Sequence, residues 1–398
     1  MRFIFLSFKK NILPFIFVLL AICLVIFSKS NLEAAKSGLS LWATNVVPAL
    51  FPFFVVTELL SNTNIIYYLG KIFHKIMKPL FNVPSESAFP FIMGMISGYP
   101  IGGKIVADMR LKGLCTKDEG ERLLAFTNNS GPLFIISSVG ISLFGDTKTG
   151  LLLLCTHILA CITVGILLAK LSTKNSTKAQ YLSTSHTEVN QTQELHLKDL
   201  GEVLGKSIQS AISTILMIGG FVVIFSIIIS ILGKTQLLNY LSTSFSPILK
   251  YLGFDQDFAK PVISGIIELT NGVNMISKIN VKSMSQNVIL TAFLLGFGGI
   301  SILLQVFSIA SKTDLSMKKY VIGKFMQGII AAFYTFIALK LLPFLSLDIA
   351  PVCAPIADSV IYPINFLGIN NYLILLFVLF FIIFIAFSHT DKSKRKRC

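Results

Sequence analysis

Long apolar runs separated by short polar joints fill most of the chain, and some of the runs are interrupted from within. Uninterrupted apolar stretches cover 11–28, 38–60, 149–170, 206–232, 320–343 and 369–388. Each is long enough to predict a helix that crosses a bilayer. Two further stretches, 121–144 and 287–311, are long enough but broken in the middle by TNNSGP at 127–132 and GFGGIS at 296–301. Another two, 86–109 and 258–279, are apolar at both ends with a small or polar tip, GYPIGG and ELTNG. Unwound backbone is tolerated at membrane depth only when it is buried in protein or lines a cavity. The pattern therefore predicts an all-α polytopic membrane protein. It has about eight transmembrane helices, two of them broken, and two re-entrant hairpins.

The runs also repeat. PFFVV at 52–56 parallels GFVVI at 220–224, PFIMG at 90–94 parallels PVISG at 261–265, and AFTNNSGPLFI at 125–135 parallels AFLLGFGGISI at 292–302. The matches keep their order at a spacing of about 168 residues, the signature of an internal repeat. The polar stretch 171–205, rich in Ser, Thr, Gln and His, reads as a linker between the copies. The expected plan is a first transmembrane helix at 1–37, a repeat at 38–170, the linker, a second repeat at 206–343, and a last helix with a basic tail at 344–398. Each repeat reads as helix, hairpin, broken helix, helix. Three crossings per repeat is an odd number, so the second copy is expected upside down, as in secondary transporters with a midplane site.

Composition strengthens this picture. Of 398 residues, 54% are hydrophobic and only 13% charged, against about 25% charged in soluble domains, and the mean hydropathy is +0.76. The net charge of +15 does not point to nucleic acid. The basic residues sit in short runs between apolar spans rather than as a stripe on one face, and they act as orientation signals. With a cytoplasmic N-terminus, inside loops carry Lys71, Lys75, Lys78, Arg110, Lys112, Lys117, Lys174, Lys178, Lys198, Lys312, Lys318, Lys319 and the 392–397 tail, while the 344–367 loop has no Lys or Arg. This count places both termini inside, with Lys234, Lys250, Lys278 and Lys282 as its weak point. The six cysteines are scattered without a CxxC pair, so neither a disulfide framework nor a zinc site is indicated. The basic start and following apolar stretch lack a nearby small-x-small cleavage site and read as an uncleaved helix.

Candidate chemistry gathers at the interruptions. GYPIGGKI from Gly98 nearly spells the phosphate loop G-x-x-x-x-G-K-[ST], with Ile105 where a magnesium-binding hydroxyl belongs. The flanks are membrane segments rather than a βαβ unit, so nucleotide binding is disfavoured. The physics carries over to another anion: Gly98, Gly102 and Gly103 admit close backbone approach, N–H groups at a helix start attract negative charge, and Lys104 adds a full positive charge. The bland alternatives are a Lys104 that snorkels or pairs with Asp108 one turn on. Thr127, Asn128, Asn129 and Ser130 place polar side chains in mid-helix, suited to orienting a polar ligand, coordinating sodium or bonding between helices. Glu268, Thr270 and Asn271 occupy the second tip. An acid there can relay a proton, hold a cation or pair with Lys104. GFGGIS offers backbone and Ser301. Glu58 reads as interfacial and His157 as a packed core histidine. No Ser-His-Asp set, HExxH or paired catalytic carboxylates appear, so no enzyme and no metal cofactor is expected.

GYPIGGK at 98–104, KDEGERLLAFTNNSGPLFI at 117–135 and the paired hairpins resemble the YlbJ family of sporulation integral membrane proteins, within the wider group that carries the nucleoside-recognition Gate domain. The resemblance covers nearly the whole chain, most clearly 38–343. It implies a protein of endospore formers that moves dipicolinic acid from the mother cell across the outer forespore membrane. It also implies that Gly98, Pro100, Gly102, Gly103, Lys104, Asn128, Asn129, Ser130, Gly131 and Pro132 line the pathway. The second repeat has no GYPIGGK counterpart. Dipicolinate is a planar dianion, which Lys104, the amides and the hairpin N–H groups suit, with Tyr99 and Phe126 as stacking faces. Expected partners are this small anion and the bilayer, with further copies of the chain or other sporulation membrane proteins as candidates. A sodium or proton gradient would supply any coupling energy. The rival readings are transport of a nucleoside or other neutral solute, and a membrane scaffold without flux.

Overall fold

A computed structural model describes residues 2–61, 63, 65–172, 200–279 and 285–341. The expected span at 369–388, the 344–367 loop, the basic tail and most of the linker lie outside these residues. The described chain is helix and turn throughout, without a strand, as expected of backbone that must satisfy its own hydrogen bonds in lipid.

The chain begins, ahead of the repeat, with α1 (Arg2–Ile26) and α2 (Ser28–Leu41), which meet at a bend of 98° between 14–26 and 28–46. At the joint the Asn31 amide donates to the carbonyls of Cys23 and Leu24, 3.1 and 3.3 Å away. A π-helical turn, Trp42–Val46, joins α2 to α3 (Val47–Ser61). The expected pair of separate crossings at 11–28 and 38–60 is therefore a bent rod followed by a continuation, because the polar SKSNLEAAKSG stretch stays helical rather than forming a loop. Next come the short amphipathic α4 (Ile65–Ile76), a 3₁₀ turn at Ser85–Ser87, and the pair α5 (Ala88–Ser97) and α6 (Ile101–Leu111). Then follow α7 (Lys117–Thr127), the π-helical segment Phe134–Leu143 and α8 (Thr147–Leu171). Local chemistry sets these ends. Thr116 and Glu119 close a reciprocal capping box at the start of α7, and the Asp146 carboxylate caps α8 by accepting from the N–H groups of Lys148 and Thr149.

The second copy gives the same order. It comprises α9 (Leu200–Lys234), α10 (Leu237–Tyr251), a 3₁₀ turn at Gln256–Phe258, α11 (Ala259–Ile267), α12 (Leu269–Ser277), α13 (Ser285–Phe297), α14 (Gly299–Ala310) and α15 (Lys318–Leu341). The two 3₁₀ turns and the helix starts that follow them lie about 170 residues apart. The amphipathic α4 and α10, read from the sequence as loops, are the addition. Packing respects the repeat: α2 and α3 lie against α9, and α8 lies against α15. Across the halves α7 packs on α15 and α13 on α8, while α6 meets α14 and α12 meets Phe134–Leu143. The contacts across the halves are mirrored: α7 on α15 by α13 on α8, and α6 on α14 by α12 on Phe134–Leu143.

Small residues let the helices close. An added Cβ at Gly296 would stand 2.7 Å from the Gly328 Cα, one at Gly323 2.7 Å from the Ala125 Cβ, and one at Gly140 2.5 Å from the Gly150 Cα. The Trp42 indole lies across Gly219 and donates to the Ile215 carbonyl at 3.0 Å. Among the described residues four helical stretches are long and apolar enough to cross a membrane: Thr147–Leu171, Leu200–Lys234, Ser285–Ala310 and Lys318–Leu341. The bent α1–α2 pair raises this to five. The arms α5, α6, α11 and α12 have 9 to 11 residues, roughly 15 Å each, about half of a bilayer core.

Candidate functional site

The four interruptions of the sequence converge on one another. The tip of the first hairpin, Gly98–Pro100, lies against the break after α7: a Cβ at Gly98 would stand 2.8 Å from the Gly131 nitrogen. Gly98 has φ +82° and the Tyr99–Pro100 peptide is cis. Tyr99 reaches across the halves to the break between α13 and α14. Its hydroxyl donates to the Leu295 carbonyl at 3.0 Å and lies beside Gly298. Gly299, at φ +82°, packs against the carbonyl of Gly265 and the nitrogen of Leu269 at the tip of the second hairpin. The last carbonyl of α7, on Thr127, is seated between Gly94 and Gly102 of the two arms of the first hairpin.

At this junction the polar residues form one buried cluster. Asn128 accepts from the Gly103 N–H at 3.3 Å and donates to the Tyr320 hydroxyl at 2.7 Å. Asn129 donates to the Phe126 carbonyl at 2.8 Å, while its oxygen accepts from the Gln327 amide at 2.9 Å and from the Lys324 ammonium at 3.4 Å. Lys324 also donates to Gln327 Oε1 at 2.8 Å and stands 5.3 Å from the centre of the Tyr99 ring. The Ser130 N–H donates to His157 Nε2 at 3.3 Å. All but Tyr99 are at most 2% exposed, and Tyr99 is 7%.

The expected site residues divide into four groups. Gly98, Tyr99, Gly102, Gly103, Thr127, Asn128, Asn129 and Ser130 belong to this junction. Lys104 does not reach it. It forms an ion pair with Glu58 and donates to the Ser210 hydroxyl at 2.8 Å. Neither Asp108 nor Glu268 is its partner, and Glu58, set aside as interfacial, is. Glu268, Thr270 and Asn271 stand at the second hairpin. There Glu268 caps α12 by accepting from the N–H groups of Thr270 and Asn271 at 3.1 and 2.7 Å, and the Asn271 amide donates to the Ser226 hydroxyl at 2.9 Å. Ser301 is buried in the first turn of α14.

Two expectations about chemistry change. The N–H groups at the start of α6 were expected to be free for an anion. Those of Ile101, Gly103 and Lys104 donate instead to the Gly98 carbonyl, the Asn128 side chain and the Pro100 carbonyl. Phe126 is no stacking face: it is fully buried and stacks on Phe81 at 4.8 Å. Sequence reasoning missed Lys324 and Gln327 and read His157 as packing alone. A lysine six residues into an otherwise apolar helix, with an amide one turn on, was the available signal.

Lys104 lines an open cavity of about 570 Å³ instead. Its walls bring together Lys104, Lys206 and Lys312 with Asp108, Ser210 and Ser213. Lys104 is already paired with Glu58 and Lys206 with Glu202, so the vestibule is lined with charges of both signs, with Lys312 and Asp108 outside those pairs. On the same side, Arg110 at the end of α6 forms two bonds of 2.8 and 2.9 Å to Asp314 in the turn before α15, tying the two halves at the rim. That pairing holds the Asp314 carboxyl below its ordinary value of 3.8.

Residues 43–173 and 215–313 match the Gate family model, described as nucleoside recognition. The two matched stretches fall one in each copy of the repeat. The sporulation integral membrane protein YlbJ of Bacillus subtilis (strain 168) is 33% identical over 335 residues, 81% of each chain. No solved structure matches.

Proposed function

Since the chain belongs to the YlbJ family of sporulation integral membrane proteins and carries the Gate module, we propose that it is a secondary transporter or facilitator that moves a small organic anion, dipicolinic acid, across the outer forespore membrane during spore formation. The observation that carries this reading is the convergence of two hairpin tips and two helix breaks on one buried polar junction between the halves. A scaffold gains nothing from unwound, polar backbone at membrane depth, whereas a transport pathway requires it.

The anion preference rests on charge. Lys104, Lys206 and Lys312 line the vestibule, two of them in ion pairs with Glu58 and Glu202 that an incoming anion can exchange into. In this reading the short arms of both hairpins are re-entrant, the second copy is inverted, and the vestibule opens to the mother-cell cytoplasm along with both termini. The amphipathic α10 then lies at the opposite surface, where its polar face accommodates Lys250. The Gate description favours a second reading, transport of a nucleoside. The amides of the junction suit such a ligand, but the three vestibule lysines have no use for it.

Flux into proteoliposomes tests both. Labelled dipicolinate and labelled uridine are offered in turn, with sodium, proton and dipicolinate gradients imposed separately. Dipicolinate uptake with a lower rate in Lys104→Ala is the expected result. Uridine uptake without dipicolinate uptake replaces the substrate. Normal spore dipicolinate in a deletion strain given external dipicolinate would return the protein to a scaffold.

A further inference from the structure

Lys324 is fully buried, and no ion pair reaches it among the described residues. Acids elsewhere in the described residues have other partners. Glu58 pairs with Lys104, Asp118 with Arg122 and Lys319, and Glu121 with Lys319. Asp314 pairs with Arg110, and Glu268 caps α12. The groups that face Lys324 are neutral: Asn129 from the break after α7, Gln327 from its own helix, the Tyr99 ring from the first hairpin, and beyond them His157 and Cys161 from α8. An ammonium has three protons to donate, and the acceptors within reach are two amide oxygens, one of them at 3.4 Å.

His157 adds a second surplus donor. Its Nε2 accepts from the Ser130 N–H, so the proton of the neutral ring lies on Nδ1. That nitrogen is buried without a partner. A buried cluster is normally balanced between donors and acceptors. The Ser130 hydroxyl is likewise buried without a partner, but it is neutral, so what the cluster lacks is an acceptor with negative charge.

We propose that Lys324 is the occluded binding site for a carboxylate of the transported anion, with the Gln327 and Asn129 side chains as its rim and Tyr99 as its cover. The proposal rests on the anion reading above. The vestibule at Lys104 collects the anion, and Lys324 is where its charge is neutralised between the two halves. In the present state the amide oxygens of Gln327 and Asn129 stand in for the carboxylate oxygens, and the Tyr99 ring closes over the ammonium. Loading requires the first hairpin tip to move away from Leu295, which releases the Tyr99 hydroxyl bond.

Thermal unfolding of the purified protein with dipicolinate, or with its neutral diamide, tests the site separately from transport. Dipicolinate should stabilise the wild type and the diamide should not. In Lys324→Gln and Lys324→Met the affinity for dipicolinate should fall about thirtyfold or more, as when one partner of a buried charge pair is truncated. Lys324→Met should be as stable as the wild type without ligand, or more so, because it removes a buried charge that lacks a counter-ion. A purely structural lysine would give the opposite sign. Stabilisation by dipicolinate that persists in either variant overturns the site whatever the flux shows. Equal stabilisation by the diamide overturns it as well. Stabilisation without flux in the wild type leaves the site standing and removes the transport reading. No stabilisation of the wild type removes the site, while the transport reading then stands or falls on the flux.

Discussion

Replacing Gly94 by alanine tests how firmly the first hairpin and the α7 break are held together. The added Cβ would stand 1.8 Å from the Thr127 carbonyl oxygen, 3.0 Å from its carbon and 3.1 Å from the Gly102 Cα. The first distance falls more than an ångström short of the 3.0 Å that real Cβ atoms respect. All three obstacles are backbone atoms, so no side chain can swing away. Overpacking a core costs about 1–3 kcal/mol when neighbours can yield. Here the upper end, about 3 kcal/mol, is the expected loss, or roughly two powers of ten in the folding equilibrium. The control is Gly220→Ala in the middle of α9, where an added Cβ meets nothing within 4 Å. Alanine there gains about 0.5–1 kcal/mol through reduced backbone freedom. Thermal unfolding in detergent compares the two, with flux measured on the same preparations. Opposite signs are expected, and Gly102→Ala, whose Cβ would stand 2.2 Å from the same oxygen, should follow Gly94→Ala. A wild-type midpoint for Gly94→Ala would show that the Thr127 carbonyl is not clamped between the two arms, and that tip and break move independently.

Three further results are expected. Tyr320→Phe removes the acceptor of the Asn128 amide and leaves a buried donor unpaired, lowering stability by about 1–3 kcal/mol; unchanged unfolding would sink the bridge between the α7 break and α15. Glu268→Ala should cost about 1–2 kcal/mol through loss of the α12 cap, while Glu268→Gln keeps an oxygen for the same N–H groups and stays near wild type in both stability and flux. Loss of flux in the glutamine variant would restore a proton-relay role. Asp314→Asn should lower stability at pH 7 by about 1 kcal/mol, because the carboxylate is half exposed to solvent while Arg110 is nearly buried and keeps its bond to the Cys115 carbonyl. The carboxyl is held below 3.8 in the fold, so its contribution is present above that value and fades as pH falls through the folded one. Unfolding midpoints of variant and wild type should therefore converge at acid pH, and a constant difference would refute the assignment.

The repeat and its interruptions were legible because they are local in sequence. A glycine–proline tip or a TNNSGP break disrupts apolar periodicity wherever it occurs. The bend between α1 and α2 was not, since it depends on Asn31 reaching back to Cys23 and Leu24 while a polar stretch stays helical. The partner of Lys104 was misread for a related reason. Asp108 is the natural choice four residues on, and Glu58 comes from a helix whose approach only the packing defines. Lys324 escaped notice because its span contains enough Ile, Phe and Ala to read as an ordinary crossing. Its partners Asn129 and Gln327 are 195 and 3 residues away, so only the folded chain shows that two amides and an ammonium meet.

The division of that cluster between the halves bears on how the protein is made. Asn129 and His157 enter the bilayer with the first half, and Lys324 and Gln327 emerge from the ribosome more than 150 residues later. Until then Asn129 Oδ1 lacks its donors, and α8 lacks the α13 and α15 surfaces that cover it. The last described helix carries a charge that is unfavourable in lipid on its own, and its insertion is completed by polar groups that have been waiting in the membrane. A chain that ends before α15 therefore leaves the Asn129 oxygen without the two donors that satisfy it in the complete fold.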